Sequence, residues 1–328
     1  MNFLIVGLGS MGKRRIRCLN ALGYKDCITG FDTRQDRCDE AEKLHGITII
    51  GKVTAKILKK FDCIIISVPP DQHNQYIRLA VSAKIPAFVE ASVNIEGLEE
   101  LNRRAKETGV FIAPSCTLLF HPAIRDIQKI LLSGEFGKVT SFSYHCGQYL
   151  PDWHPWENVT DYYVSRRETG GAREIVPFEL TWISELIGYP KKVTGFFGKT
   201  MDVGADIDDT YVISMDFGTC LGSLTVDVVA RVAVRSLILN LENGQILWNW
   251  DEQKIKIYDA LNQRWIFYHS PEGTSVAGYN KNIIDDMYIE ELQSFIDAVR
   301  NKRPGLFQNT LDKDIAVLEI LNRAEGRL

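Results

Sequence analysis

The sequence predicts an α/β protein of two domains, a doubly wound parallel sheet over residues 1–120 and an α+β domain over residues 121–328. Three observations carry this. Short apolar runs alternate with helical segments through the first third of the chain. A glycine loop follows the first of those runs at once. Beyond residue 139, strand-like segments and a hairpin signal replace the helical alternation.

Residues 2–6 (Asn2-Phe3-Leu4-Ile5-Val6) are too short a run for a helix and read as a buried strand. The chain then enters Gly7-Leu8-Gly9-Ser10-Met11-Gly12, and residues 13–22 read as a helix closed near Gly23. Strands follow at 28–31, 62–68 and 86–89, with helical segments such as 71–83 between them, an order that builds a parallel sheet covered on both faces. Glycines at 7, 9 and 12 let the backbone turn tightly and approach a pyrophosphate, whose charge meets free N–H groups at the helix start. This is the strand, loop and helix order of a Rossmann domain. Asp32 falls at the end of the second strand, about twenty residues beyond the loop, where a carboxylate accepts from the adenosine ribose hydroxyls and repels a 2′-phosphate. NAD is therefore expected rather than NADP, although Arg34, next to Thr33, leaves pairing with a 2′-phosphate or stacking on adenine open. Lys13, Arg14, Arg15 and Arg17 read as a solvated helix face.

At 328 residues the chain exceeds what one hydrophobic core usually serves. A formal net charge of −4, with no clustered Lys/Arg face, argues against nucleic acid and for a small-molecule partner. No segment has the length of a membrane span and the opening residues do not form a signal peptide, so a cytoplasmic protein is expected. Seven widely spaced cysteines form no Cys-x-x-Cys pair. His145 and Cys146 would face opposite sides of a strand, so no metal site is expected.

Further landmarks recur in order: Ser67-Val68-Pro69-Pro70-Asp71-Gln72-His73, Phe88-Val89-Glu90-Ala91, Phe120-His121-Pro122, and Gly134-Glu135-Phe136-Gly137-Lys138-Val139. With the glycine loop, they resemble the Gfo/Idh/MocA oxidoreductase family over nearly the whole chain. The resemblance implies an N-terminal Rossmann domain joined to an α+β domain whose large open, mainly antiparallel sheet carries the substrate site and the contact of a homodimer or homotetramer. The segments 139–149, 192–198, 210–217, 221–229 and 237–241 suit that sheet, Asn243-Gly244 is a hairpin signal, and 288–299 and 314–321 read as closing helices interrupted near Pro304-Gly305.

The resemblance also assigns roles. Val68, Pro69, Pro70 and His73 would line the cofactor cleft. Glu90 matches the Glu of the family's Glu-Lys-Pro motif, but the following residues are Ala91 and Ser92, so the lysine that serves as acid/base is absent. Its loss removes proton transfer worth roughly 10²- to 10⁴-fold. The family's second landmark, a glycine run followed by Asp-x-x-x-His, corresponds to Gly170-Gly171-Ala172-Arg173-Glu174-Ile175-Val176-Pro177-Phe178-Glu179, which contains no His. Counting from the glycines puts Glu179 at the His position. Counting back from Gly188 puts Glu174 at the Asp position. Either carboxylate is a candidate base, because a partly apolar cleft raises a Glu into a useful range, and either is equally explained as an acid near a helix N-terminus.

Residues 144–168 are rich in aromatic and polar side chains, among them Tyr149, Trp153, His154, Arg167 and Arg173 just beyond. Aromatic faces with interspersed hydrogen-bonding groups suit a sugar ring, though the same run also suits a domain or subunit contact. His154 is a third candidate for proton transfer, and an Arg suits an anionic substrate group. The expected activity is hydride transfer between nicotinamide and a secondary alcohol of a sugar, cyclitol or nucleotide-linked sugar, with surface polysaccharide synthesis one setting. The competing expectation is a catalytically silent dinucleotide- or sugar-binding sensor or partner subunit.

Overall fold

The computed structural model describes residues 1–153, 157–252, 254–269 and 285–328. The chain divides into two compact units, one of Met1–Thr117 with Asp285–Ile315 and one of Leu118–Ile284 with Ala316–Leu328.

The first unit runs β1 (Phe3–Val6), α1 (Ser10–Ala21), β2 (Ile28–Phe31), α2 (Gln35–His45), β3 (Thr48–Ile49), α3 (Ala55–Leu58), β4 (Cys63–Ile66), α4 (His73–Ala83), β5 (Ala87–Val89), α5 (Leu98–Thr108) and β6 (Ile112–Pro114). The strands lie in the order β3-β2-β1-β4-β5-β6, all parallel. β1 and β4 are buried at every position, which is why each is an unbroken apolar run rather than an alternating one. The order reverses between β1 and β4, so the loops that leave these two strands flank the switch point at which such sheets bind ligands.

α1 corrects one expectation. Gly12, Arg15, Ile16 and Leu19 share its buried face at helical spacing, and Arg14 is buried as well, so this basic stretch is not a solvated face.

The second unit runs α6 (Pro122–Ser133), β7 (Val139–Tyr149), α7 (Ala172–Ile187), β8 (Lys192–Gly198), β9 (Thr210–Asp216), β10 (Leu221–Asp227), β11 (Val229–Leu241), β12 (Gly244–Asn249), β13 (Lys254–Asp259) and β14 (Arg264–His269). Its eight-stranded sheet has the order β14-β13-β12-β11-β7-β10-β9-β8. β7 and β10 pair in parallel and the other neighbours are antiparallel. β13 and β14 add a hairpin beyond the predicted strands. The β11–β12 turn is Glu242-Asn243, one residue before the expected pair, because Gly244 already faces Leu241 in the ladder. A Cβ at Gly244 would lie 2.8 Å from the Tyr258 carbonyl oxygen, so the glycine serves strand packing there.

Period-two alternation gives the sheet two unlike faces. Ile213, Leu224, Tyr144, Leu237, Trp248 and Ile255 are neighbours across six strands and all are buried. Trp182 of α7 packs edge-on against both Tyr144 and Trp248, so α7 covers this face. On the other face Phe196 and Val212 pair directly and are 79% and 43% exposed.

α8 (Asp285–Arg300) and α9 (Leu311–Ala324) close the chain. α8 belongs to the first unit, which corrects the expectation that everything after residue 120 forms the second domain. The cause is its buried face: Phe295 meets the Phe88 ring of β5 at 5.7 Å, and Glu291 on the same face bonds Arg15 of α1. Among the described residues, no helix is long and apolar enough to cross a membrane.

Candidate active site

The glycine loop is shaped by backbone contacts that tolerate no side chain. Gly7 has φ 90°, and a Cβ there would stand 2.4 Å from the Ser67 carbonyl oxygen. At Gly12 a Cβ would meet the Gly7 carbonyl oxygen at 1.8 Å. Gly9 differs, since its Cβ position is approached only by the Arg37 guanidinium, at 3.3 Å. The loop therefore packs through Gly7 and Gly12 and leaves Gly9 open for close approach by a phosphate. Gly9 caps α1 without a side-chain acceptor, and Ser10, Met11 and Gly12 form the first turn, which carries no acid to compete with an anion. Asp32 Oδ2 accepts from the Leu8 amide at 2.7 Å and Oδ1 from the Arg34 amide at 2.9 Å, which ties the acid to the loop. Thr33 and Arg34 are exposed, and Arg34 is paired with Asp36 at 2.6 Å. The guanidinium beside Asp32 is that of Arg37, at 3.9 Å. These residues fit a dinucleotide diphosphate and ribose.

The turn after β4 forms the other side of the switch point. Pro70 starts a short 3₁₀ turn, and His73 begins α4. The His73 ring Nε2 lies 3.0 Å from the Val68 carbonyl oxygen; a carbonyl only accepts, so Nε2 carries the proton. Burial lowers its pKa to about 4, which makes His73 a neutral clamp on the Val68-Pro69-Pro70 turn and not a proton donor at neutral pH. Glu90, at the end of β5, is gripped bidentately by Arg15 at 2.7 and 2.9 Å and accepts from Ser67 Oγ at 3.2 Å. Arg15 in turn donates to the fully buried Glu291 at 2.9 Å. Glu291 also accepts from Ser115, Thr117 and the Cys116 amide. A buried cation on α1 thus clamps Glu90 directly and is itself held by Glu291 of α8.

In the second unit the candidate acids part company. Glu179 is fully buried and accepts from Tyr144 Oη, Trp182 Nε1 and Arg235 Nε, at 2.8, 2.8 and 2.9 Å. Its charge is neutralised and its oxygens are occupied, so it holds the sheet to α7 and is withdrawn as a candidate base. Glu174, one residue after Arg173 on α7, accepts a single hydrogen bond, from the Tyr163 hydroxyl at 2.5 Å, and its Oε2 is buried without a partner among the described residues. Burial raises its carboxyl to about 7, with the Tyr163 bond pulling the other way. Arg173 is also withdrawn as a substrate ligand, because its buried guanidinium is held by Glu325 at 2.7 Å and by the Glu168 carbonyl at 2.6 Å. Arg167 is half exposed and bridges Asp206 and Asp208, both at 3.0 Å. Tyr149 lies on the sheet face opposite Tyr144, with the Arg231 guanidinium 3.9 Å from its ring centre. Trp153 is part-buried, and His154 lies outside the described residues.

Residues 1–115 match the model of an oxidoreductase family with an NAD-binding Rossmann fold, and residues 124–247 match the GFO/IDH/MocA C-terminal domain. The chain belongs to the Gfo/Idh/MocA family. Its first unit is thus an NAD-binding Rossmann domain. Among solved structures, an oxidoreductase from Agrobacterium radiobacter in complex with NAD+, L-tartaric acid and magnesium superposes with a TM-score of 0.85 at 13% identity, covering 100% of this chain and 96% of that one. A levoglucosan dehydrogenase in complex with NADH and levoglucosan gives 0.82 at 14% identity, with the same two coverages. A UDP-N-acetylglucosamine 3-dehydrogenase from Acidithiobacillus ferrooxidans gives 0.74 at 17% identity, covering 100% and 97%. No curated protein matches the chain by sequence.

In this Gfo/Idh/MocA protein, Gly12→Ala drives a methyl into the Gly7 carbonyl and must open the loop. The expected result is NAD affinity weakened by roughly 100-fold, about 3 kcal/mol, in titration calorimetry. Wild-type affinity in that variant would mean that the loop does not hold the diphosphate.

Proposed function

We propose that this chain is a cytoplasmic NAD-dependent dehydrogenase that transfers a hydride between nicotinamide and a secondary alcohol carbon of a sugar, cyclitol or nucleotide-linked sugar. Bound NAD supplies the hydride acceptor. The chain itself binds the dinucleotide through the 7–12 loop, Asp32 and the Val68-Pro69-Pro70 turn, and it manages the hydroxyl proton. A Glu-Ala-Ser sequence at 90–92 stands where the family motif has Glu-Lys-Pro, so the proton falls to another group. Glu174 takes that role. The single observation that carries the reading is its carboxyl, raised to about 7 with one buried oxygen unpartnered among the described residues: a group able both to take and to return a proton near neutrality. Asp32 favours NAD over NADP by repelling a 2′-phosphate.

The sugar-acting relatives and the aromatic residues of 144–168 support a carbohydrate substrate. The sheet face on which Phe196 and Val212 are exposed is the surface through which a homodimer or homotetramer would form. Purified protein with NAD, tested against a panel of sugars, cyclitols and nucleotide sugars, is expected to show growth of the reduced-nicotinamide absorbance with at least one. Tight NAD binding with no reduction across the panel would instead favour the sensor or partner-subunit reading.

A further inference from the structure

The glycine pair that precedes α7 has a steric cause. A Cβ at Gly170 would stand 2.0 Å from the Val164 carbonyl oxygen, and Gly171 takes φ 63° with Ile207 Cδ1 2.7 Å from its Cβ position. The short turn Tyr163–Ser165 can therefore lie directly on the start of the helix. That packing delivers the Tyr163 hydroxyl to Glu174 Oε1. The Tyr162 ring meets the Tyr163 ring edge-on at 6.2 Å and 85°, which supports its position from behind.

The result is an asymmetric carboxyl. Oε1 accepts from a phenol, and Oε2 is shielded from water with no partner among the described residues. Among the described residues, no cation offsets the charge. Arg173, the neighbour on α7, is turned to Glu325, and Arg167 is engaged by Asp206 and Asp208. Among the described residues, the other titratable groups linked to this cluster are Tyr162 and, through Tyr162, Glu157. A hydrogen bond from Tyr163 to the ionised carboxylate is thus its main local stabilisation, and occupation of Oε1 leaves Oε2 as the oxygen that carries a transferable proton.

We propose that Tyr163 is a positioning residue for the reaction, fixing the Glu174 carboxyl so that Oε2 alone exchanges the proton of the substrate hydroxyl. The inference rests on the reading of Glu174 as acid/base. In the oxidative direction the substrate O–H bond breaks and an O–H bond forms at Oε2. The C–H electron pair leaves as hydride for oxidised nicotinamide, and the carbon–oxygen bond becomes double. Reduction reverses each change. The phenol proton stays on Tyr163 throughout.

Tyr163→Phe keeps the ring against Tyr162 and deletes only the donor. Infrared difference titration of the cofactor-free protein reads the protonated Glu174 carbonyl, assigned as the band lost in Glu174→Gln. Tyr163→Phe is expected to move that titration upward by about one pH unit, since the lost bond favoured the charged form. The ascending limb of kcat/KM for alcohol oxidation should move with it, and kcat on the plateau should fall by about tenfold or more. An infrared midpoint that stays in place overturns the proposal, as does a moved midpoint with an unchanged pH profile and kcat. If Glu174→Gln leaves turnover intact, it is the acid/base reading that fails, and the infrared shift still reports whether the two side chains are coupled.

Discussion

Glu174→Gln is expected to lower turnover by roughly 10²- to 10⁴-fold, the usual worth of a general acid/base, while making the protein more stable above neutral pH. The two effects share one cause. Burial raises the Glu174 carboxyl from an ordinary 4.5 to about 7, so the folded state holds this proton more tightly than the unfolded state does. The stabilisation from that proton is fully present below the unfolded value near 4.5 and is lost as pH rises through about 7. Above that, the fold carries a buried charge, at a cost on the order of 3 kcal/mol relative to acid conditions. Glutamine keeps the shape and an acceptor for Tyr163 but cannot ionise. Thermal unfolding of the two proteins should therefore coincide near pH 4.5 and diverge by pH 8, with the variant melting higher. A variant that is no more stable at pH 8, or one that turns over like wild type, contradicts the account. A gain in stability with a loss of activity is the pattern expected when a site is built on an unfavourable charge.

Arg15→Met is expected to cost about 3–5 kcal/mol, because it leaves Glu291 fully buried without its cation and frees Glu90 from its bidentate clamp. The guanidinium also lies 4.4 Å from the Phe88 ring centre, so packing is lost with the charge. The unfolding midpoint should fall by roughly 10 °C. Glu291→Gln can keep Oε1 as acceptor for Ser115 and the Cys116 amide, while the new amide N–H group faces Thr117 and Arg15 and the negative charge is removed; because Arg15 still pairs with Glu90, it should cost less than Arg15→Met. Guanidinium chloride melts of both variants decide the matter. A loss under about 1 kcal/mol for Arg15→Met would show that the cluster is not the junction between α1, β5 and α8 that its geometry indicates.

Much of the first unit was legible because its signals are local. The core of the strand predicted at 62–68, Cys63–Ile66, is apolar at consecutive positions because β4 is buried on both faces, and the glycines at 7 and 12 are required by contacts that the loop makes with itself and with the adjoining strand end. Arg15 was legible in principle. It stands three residues after Gly12 and four before Leu19, on the stripe that α1 buries, although a charged side chain there also fits a solvated face. Glu291 is the same case, framed by Met287, Tyr288, Leu292 and Phe295 on the buried face of α8. The return of α8 to the first unit was not legible, since an amphipathic helix states that it has a buried face and not which sheet it covers.

The choice between Glu174 and Glu179 marks the boundary most clearly. The sequence by itself determined that the chain carries a dinucleotide loop and that acids stand near the start of a helix behind a glycine pair. Five residues apart, those acids point about 140° apart around α7 and enter different surroundings. Glu179 meets Tyr144, Trp182 and Arg235, brought from two strands and its own helix, and its charge is balanced. Glu174 meets Tyr163 alone among the described residues and keeps one oxygen unpaired. Only the tertiary structure decided this, because a carboxyl's affinity for its proton is set by the water excluded from it and the charges and donors placed around it, and those neighbours are distant in sequence.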